Sequence, residues 1–381
     1  MFSPFCPVDI RVLNRTEGIQ AVRDMLSGQK HRLLALVPRQ LCGPLALSPF
    51  FTALQGDGHA VQLMTAIPAN PSVSELRALL DELRRTAFIP TVILAIGGGS
   101  CMALAKGASA LLHLPAQSTA TDDGVRAVIR ERAYAQEHPF VDIIAMPTTA
   151  GTGSEVTKWA TIWDGDNRRK LSIDCEPCFA KAAVLIPEWT VGMSPALTLS
   201  TGLDALSHAA EAFWSVHRTP LSQALAFTAI QKVHDHLPQT LANPSSLSLR
   251  REMALASLLA GLAFSQTRTT ACHSISYPLT MLFGVPHGFA AALTLESVML
   301  RNLISVPDIE TISAIFDVDE GLGPWLESVC RGIQPLCLSA FGIMESDLEP
   351  IADLTFTAGR MDNNPIAFTR DEVMDILREC L

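Results

Sequence analysis

Four short apolar runs in the first half of the chain, RLLALV (32–37), AVQLMTAI (60–67), PTVILAI (90–96) and VDIIAMP (141–147), alternate with polar or amphipathic stretches. Apolar runs of this length, without a period of two, read as strands buried on both faces. Between the second and third lies SVSELRALLDELRRT, where Val73, Leu76, Leu79, Leu80 and Leu83 recur at helical spacing behind Ser72 or Ser74 as N-cap. Strand–helix–strand order calls for parallel strands and right-handed crossovers, so this half predicts an α/β domain on a parallel sheet. The segment 115–138 is polar and begins as a loop, and KWATIWDGDNRRKLSID predicts a hairpin turning at Asp164–Asn167.

Beyond about residue 190 strand signals almost vanish. SPALTLSTGLDALSHAAEAFWS, PLSQALAFTAIQKVHDHL, SLRREMALASLLAGLAFSQ and TRDEVMDILREC are helical by periodicity. A chain of 381 residues exceeds one ordinary core. The expectation is therefore two domains, α/β over 1–190 and all-helical over 191–381, with the boundary near Trp189–Ser194.

The charge balance narrows the function. With 28 basic against 38 acidic residues the net charge is −10, which argues against nucleic acid and anionic membrane surfaces as partners. One or two local cations would still accept a small anion. The nine cysteines form no disulfide-like framework, and Cys175–Cys178 is an isolated C-x-x-C read as structural. MFSPFCPVDIRVLN lacks the basic and apolar regions of a secretory leader, and no apolar run approaches the ~20 residues of a membrane span. The expected location is cytoplasmic.

Two glycine loops follow predicted strands. In TVILAIGGGSCMALAKG, Gly97, Gly98 and Gly99 allow close backbone approach, and Ser100 is placed to cap the next helix. In MPTTAGTGSEVT, Thr148, Thr149, Thr152 and Ser154 supply small donors around Gly151 and Gly153. Either loop alone is an ordinary turn. Two at the C-terminal ends of neighbouring parallel strands favour a dinucleotide, although the spacing is not G-x-G-x-x-G.

In STGLDALSHAAEAF, Asp204 and His208 are four apart and share a helical face lined by Leu and Ala. An Asp–His hydrogen bond in the core would account for that pair. His273 and His287 are fourteen apart, with GVPHG breaking the helix between them. Together Asp204, His208, His273 and His287 make one carboxylate and three imidazoles, a set suited to Fe(II) or Zn(II) with a position left for a substrate oxygen. The seven remaining histidines, His31, His59, His113, His138, His217, His234 and His236, read as surface residues.

With GGGS at 97–100, PTTAGTGSEVT at 147–157, GLDALSHAAEAF at 202–213 and the spacing from His273 to PHG, the chain resembles the iron-containing (group III) metal-dependent alcohol dehydrogenases over nearly its whole length. The resemblance implies an N-terminal dinucleotide-binding domain and a C-terminal metal- and substrate-binding domain. It implies Asp204, His208, His273 and His287 as metal ligands, and Gly97 to Ser100, Thr148, Thr149, Thr152 and Lys170 as the lining of a nicotinamide cofactor. Three positions depart from the family pattern. Ala103 stands where Asp is usual after the GGGS loop, Tyr277 stands where many members carry a second histidine, and Pro38 with Arg39 replaces an acidic strand end. The last change removes a carboxylate that favours NADH and adds a cation near a 2′-phosphate, so NADPH should be accepted.

TRTTACHSISYPLT, TKWATIWD and NNPIAFTRDEV resemble the phosphonoacetaldehyde reductase branch, which forms 2-hydroxyethylphosphonate. A phosphonate dianion needs a cation, preferably a forked one. Arg268, five residues before His273 and read as lying on the same apolar helix, is the first candidate, and Lys158 the second. Tyr277 is placed to give or relay the proton that the product alkoxide requires, or it is pocket wall. The expected partners are a small anionic aldehyde and, at most, a second copy of the chain as a homodimer. Alternatives are a polyol or general alcohol dehydrogenase of the same family, a dehydroquinate synthase-like lyase, and a metal-free structural protein motivated by Ala103.

Overall fold

The computed structural model describes residues 6–167, 169–356 and 359–381. Residues 1–5, which carry part of the leader argument, lie outside these. The chain divides into two compact units: one runs to Thr149 and resumes over Ser154–Gly192, and the other holds Ala150–Gly153 and Met193–Leu381.

The first unit is built on a six-stranded sheet of β1 (Asp9–Val12), β2 (Arg32–Leu36), β3 (Ala60–Met64), β4 (Val92–Gly97), β5 (Asp142–Pro147) and β8 (Ala182–Leu185). The order is β1-β8-β5-β4-β2-β3, and every pairing is parallel. Strand β4 is buried throughout, as expected for a central strand covered on both faces. Leu33, Ala35, Leu94, Ile96, Ile144 and Met146, spaced by two along their strands, line one face and share a core cluster. Between β2 and β4 the winding reverses, since β2 leads to β3 on one side and β4 to β5 on the other. A crevice at the C-terminal ends of strands forms at such a reversal.

Helix α1 (Val73–Arg85) buries Val73, Leu76, Leu79, Leu80 and Leu83. Of the two candidate caps it uses Ser72, in a reciprocal capping box with Glu75. Helix α2 (Gly99–Leu111) follows β4. The polar stretch read as beginning in a loop contains helix α3 (Asp122–Arg130), capped by Thr121 and burying Val125, Val128 and Ile129. Two further strands, β6 (Trp159–Asp164) and β7 (Arg169–Asp174), pair antiparallel as the expected hairpin. Asn167 Nδ2 donates to Asp164 Oδ2 at 2.8 Å within its turn. One histidine departs from the surface reading: His59 is only 7% exposed, and its Nδ1 accepts from the His31 amide.

The second unit is helical. Its main elements are α4 (Pro195–Trp214), α5 (Pro220–Ala242), α6 (Leu247–Thr267), α7 (Ala271–Phe283) and α8 (His287–Ala292). Helix α4 starts with Ser194 as side-chain cap and Pro195 in its first turn, and is buried on nearly every side from Thr198 onward. Among the described residues no helix is long and apolar enough to cross a membrane.

Candidate metal centre and nucleotide-binding edge

Helix periodicity puts Asp204, His208 and Glu211 on one face of α4, and α7 brings His273 against it. Asp204 Oδ1 lies 3.7 Å from His208 Nδ1, 3.5 Å from His273 Nε2 and 3.9 Å from His287 Nε2. The His208 and His273 rings stack at 4.3 Å, and His208 also stacks on Phe264 at 4.1 Å. Asp204, His208 and His273 are almost wholly buried, whereas the His287 side chain is 31% exposed and forms the accessible side of the cluster.

Asp204 Oδ1, His208 Nδ1 and His273 Nε2 are buried, and none has a hydrogen-bond partner among the described residues. Three orphaned polar atoms converging on one point would each cost about 1–3 kcal/mol in a core without a ligand. This one-carboxylate, three-imidazole set fits a borderline divalent ion, and the core Asp–His hydrogen bond considered from sequence is not formed at these distances.

Charge effects point the same way. Burial alone would raise the Asp204 carboxyl, but the surrounding imidazoles outweigh it and hold Asp204 well below the usual carboxylate range. Burial, together with the neighbouring imidazoles, pulls His208 down to about 3, leaving it neutral and ready to ligate. His273 behaves oppositely. Burial pulls it down, but Glu211 and Asp204 more than offset this and push it up to about 10.

Glu211 is a residue of this cluster that sequence reading missed. It is fully buried, and its Oε2 makes a very short hydrogen bond with His273 Nδ1. Its Oε1 accepts from Thr270 Oγ1 at 2.9 Å and from the His273 amide at 3.2 Å, and Thr270 Oγ1 in turn accepts from Trp214 Nε1 at 2.9 Å. A carboxylate behind a ligating imidazole fixes its tautomer and turns the other ring nitrogen toward the metal. The available signal was the 204, 208, 211 spacing, which keeps Glu211 on the ligand face.

A proton must therefore leave when an ion arrives. Glu211 and Asp204 favour the protonated form of His273 in the metal-free protein, so ion binding at pH 7.5 should release about one proton. The apparent affinity should then rise with pH up to about 10. The same raised pKa gives the metal-free fold a stabilisation present in full below about 6.5 and lost as pH climbs through about 10. Calorimetric enthalpies in buffers of different ionisation enthalpy measure the release directly. Identical enthalpies would mean that His273 is already neutral.

Tyr277, one turn beyond His273 on α7, is 5% exposed, and its ring lies parallel to that of His287 at 6.2 Å. Its Oη accepts from Arg360 Nε at 3.3 Å. Arg268 is not on a helix shared with His273. It caps α6 with φ 60° and ψ −179°, and α7 begins only at Ala271. Run of β-branched residues Thr267, Thr269 and Thr270 disfavours continuing the helix there. Lys158 belongs to the first unit and its Nζ pairs with Glu176 Oε1 at 2.5 Å, so its charge is already matched.

In the first unit Gly97 ends β4 and Gly98 to Ser100 follow it, and Thr148 and Thr149 follow β5 at the same edge of the sheet. Thr148 N donates to Gly97 O at 3.2 Å. A Cβ on Gly97 would stand 2.6 Å from Cys101 Cβ, and one on Gly98 would crowd Thr149 Oγ1 at 3.0 Å, so the glycines keep this edge bare. Helix α2 begins two residues earlier than expected, with Gly98 at its N-cap, and Ser100 is not the cap. Ser100 Oγ instead accepts from the Asn70 amide at 3.0 Å. Arg39 is exposed and opens a single helical turn after β2, across the reversal point from the glycines. Lys170 stands on β7 opposite Trp163, and Thr152 belongs to the second unit. Ala103 is buried on α2 in the first unit and leaves the metal cluster complete.

Lys106, also missed, is a fully buried lysine on α2. Its Nζ donates to Ser154 O at 2.7 Å, Thr157 Oγ1 at 3.2 Å and Trp159 O at 3.1 Å, tying the end of the threonine–glycine loop to the helix. Burial pulls its pKa down to about 8.

The sequence matches the family model "Iron-containing alcohol dehydrogenase" over residues 11–187 and the model "Fe-containing alcohol dehydrogenase family, C-terminal" over residues 198–381. It is 30% identical to a sulfoacetaldehyde reductase of Bilophila wadsworthia over 86% of each chain. It is 37% identical to a phosphonoacetaldehyde reductase of Streptomyces viridochromogenes over 71% of each chain. Among solved structures, a sulfoacetaldehyde reductase from Bifidobacterium kashiwanohense in complex with NAD+ superposes with a TM-score of 0.81 at 28% identity, covering 100% of this chain and 98% of that one.

Proposed function

The chain belongs to the iron-containing alcohol dehydrogenase family, and from that premise we propose that it catalyses metal-dependent, NAD(P)H-linked reduction of phosphonoacetaldehyde to 2-hydroxyethylphosphonate. The observation that carries the metal-dependent part is the convergence of the orphaned Asp204, His208 and His273 atoms beside His287. The substrate rests on the relatives, two of which are named for two-carbon aldehydes bearing a tetrahedral oxyanion.

In this reading Asp204, His208, His273 and His287 hold the divalent ion, Fe(II) or alternatively Zn(II). Gly97, Gly98, Gly99, Ser100, Thr148, Thr149 and Lys170 receive the cofactor. When bound, the ion polarises the carbonyl oxygen and the reduced nicotinamide supplies the hydride. The chain's own work is positional and electrostatic. Glu211 keeps the His273 proton on Nδ1, so that Nε2 faces inward. The bare backbone around Gly97 and Gly98 and the start of α2 present N–H groups to a pyrophosphate. Tyr277 Oη, oriented by Arg360, supplies the proton that completes the alcohol.

Arg39 is assigned the 2′-phosphate of NADPH. Arg39→Asp should lower kcat/KM for NADPH about tenfold or more relative to NADH, by exchanging an attractive charge for a repulsive one. A coenzyme ratio that does not move would remove Arg39 from that role.

The test of the whole reading is oxidation of NADPH and NADH by Fe(II)-reconstituted enzyme with phosphonoacetaldehyde beside propanal. A clear kcat/KM preference for the phosphonate is expected. Reduction of propanal alone would leave a general alcohol dehydrogenase of the same family, and reduction of neither would overturn the assignment.

A further inference from the structure

We propose that Arg360, seconded by Arg268, is the anion anchor of the active site and takes the tetrahedral oxyanion of a short aldehyde substrate; this rests on the aldehyde reductase reading above. Two hydrogen bonds hold the Arg360 guanidinium. Its Nε donates to Tyr277 Oη at 3.3 Å and its Nη1 to Gly359 O at 2.6 Å. That same carbonyl accepts from Asn363 Nδ2 at 2.9 Å, and Asn363, which is buried, also donates to Thr269 O at 3.0 Å. The loop carrying the guanidinium is thus pinned to the segment joining α6 to α7. Its direction is set by the ring that stacks on His287. The cation stands one aromatic ring away from a metal-ligand candidate.

What it lacks is a carboxylate. Arg301, Arg370 and Arg378 in the same unit pair with Glu379, Asp353 and Glu345. Arg360 forms no such ion pair among the described residues, although it is half-buried in a chain of net charge −10. A guanidinium carries five N–H groups; the bonds to Tyr277 and Gly359 use two and leave three, in a fork that matches a phosphonate or sulfonate.

Arg268 adds a second, independent sign. Its Nη1 lies 3.2 Å from where a Cβ on Gly359 would stand, so two guanidinium groups approach one glycine. Its backbone, at φ 60° and ψ −179°, sits in a region essentially reserved for glycine. Strain of this kind persists only where the surrounding structure imposes it, and here it aims a cation at the turn that also holds Arg360. An anion held at this turn would meet both guanidinium groups.

The test compares metal-reconstituted wild type, Arg360→Gln, Arg360→Lys and Arg268→Gln on phosphonoacetaldehyde and propanal. It also includes equilibrium binding of ethylphosphonate, which cannot react. For Arg360→Gln the ratio of kcat/KM for phosphonoacetaldehyde over propanal should fall about 10- to 100-fold, carried by KM, with a matching loss of ethylphosphonate affinity. Arg360→Lys, which keeps the charge and loses the fork, should fall between. Equal losses on both aldehydes, or undiminished ethylphosphonate binding by Arg360→Gln, would overturn the anchor and leave Arg360 as a support for Tyr277. Wild-type reduction of propanal without ethylphosphonate binding would also sink the anchor while the reductase reading stood. A wild type that reduces neither aldehyde would instead defeat that reading.

Discussion

The Glu211→Gln enzyme is expected to bind its divalent ion about 10- to 100-fold more weakly than wild type, as loss of a carboxylate behind a ligating histidine typically does. The substitution keeps size and an acceptor oxygen but removes the charge that fixes the His273 tautomer. It also replaces one of the two oxygens serving Thr270, the His273 amide and His273 Nδ1 with an amide donor. The metal-free variant should be less stable near neutral pH as well, because a protonated His273 would lose its buried counter-charge. Competition against a chromophoric chelator measures the affinity, and far-UV circular dichroism checks the fold. Unchanged affinity would mean that Glu211 serves only the packing of α4 on α7.

The second large effect comes from a residue with no side chain. A Cβ on Gly288 would lie 1.8 Å from Ser200 O and 2.7 Å from its carbonyl carbon, a clash with backbone that no rotamer can relieve. Gly288 therefore lets α8 press directly on α4. The point of contact is one turn before Asp204, and the residue preceding Gly288 is His287. Gly288→Ala should cost about 3 kcal/mol by forcing the helices apart. It should also weaken ion binding, because His287 must move away from Asp204 with the helix. Urea midpoints and metal affinity should drop together; a fully stable variant with normal affinity would show that the two helices can part without moving the ligand.

These residues show why the site was only partly legible. Asp204 and His208 obey the helical period, and GVPHG announces a helix break before His287, so the proposed ligand set could be picked out from local patterns. Glu211 follows the same period, but its meaning depends on Thr270 and His273, 59 and 62 residues away. Arg360 meets Tyr277 across 83 residues, and no local pattern carries that contact. The true place of Arg268 is hidden because helical periodicity runs from α6 into α7 without a glycine or proline. The only local cue was the cluster of β-branched threonines.

The fold follows the same logic. The parallel sheet was legible where strands are central and apolar, as in β4, and not in β1, an edge strand of sequence DIRV that buries none of its residues fully, or in β8, which begins with two alanines. Helix α3 is faint in the sequence because only three of its nine residues are buried, although it carries a Thr121 cap and an acidic first turn. Its place is set by Arg126, which reaches Asp164 on the hairpin at 3.0 Å, a contact outside any local pattern.

The central claim is that Asp204, His208, His273 and His287 hold a divalent ion on which aldehyde reduction depends. The most direct measurement is a titration of chelator-stripped protein with Fe(II), following bound metal and NADPH-linked aldehyde reduction in the same samples, beside an Asp204→Asn, His208→Ala double variant. The account predicts that activity returns in proportion to ion bound at one per chain, and that the double variant neither binds tightly nor recovers. Full reduction by the stripped protein, or equal binding and recovery by the double variant, would contradict it.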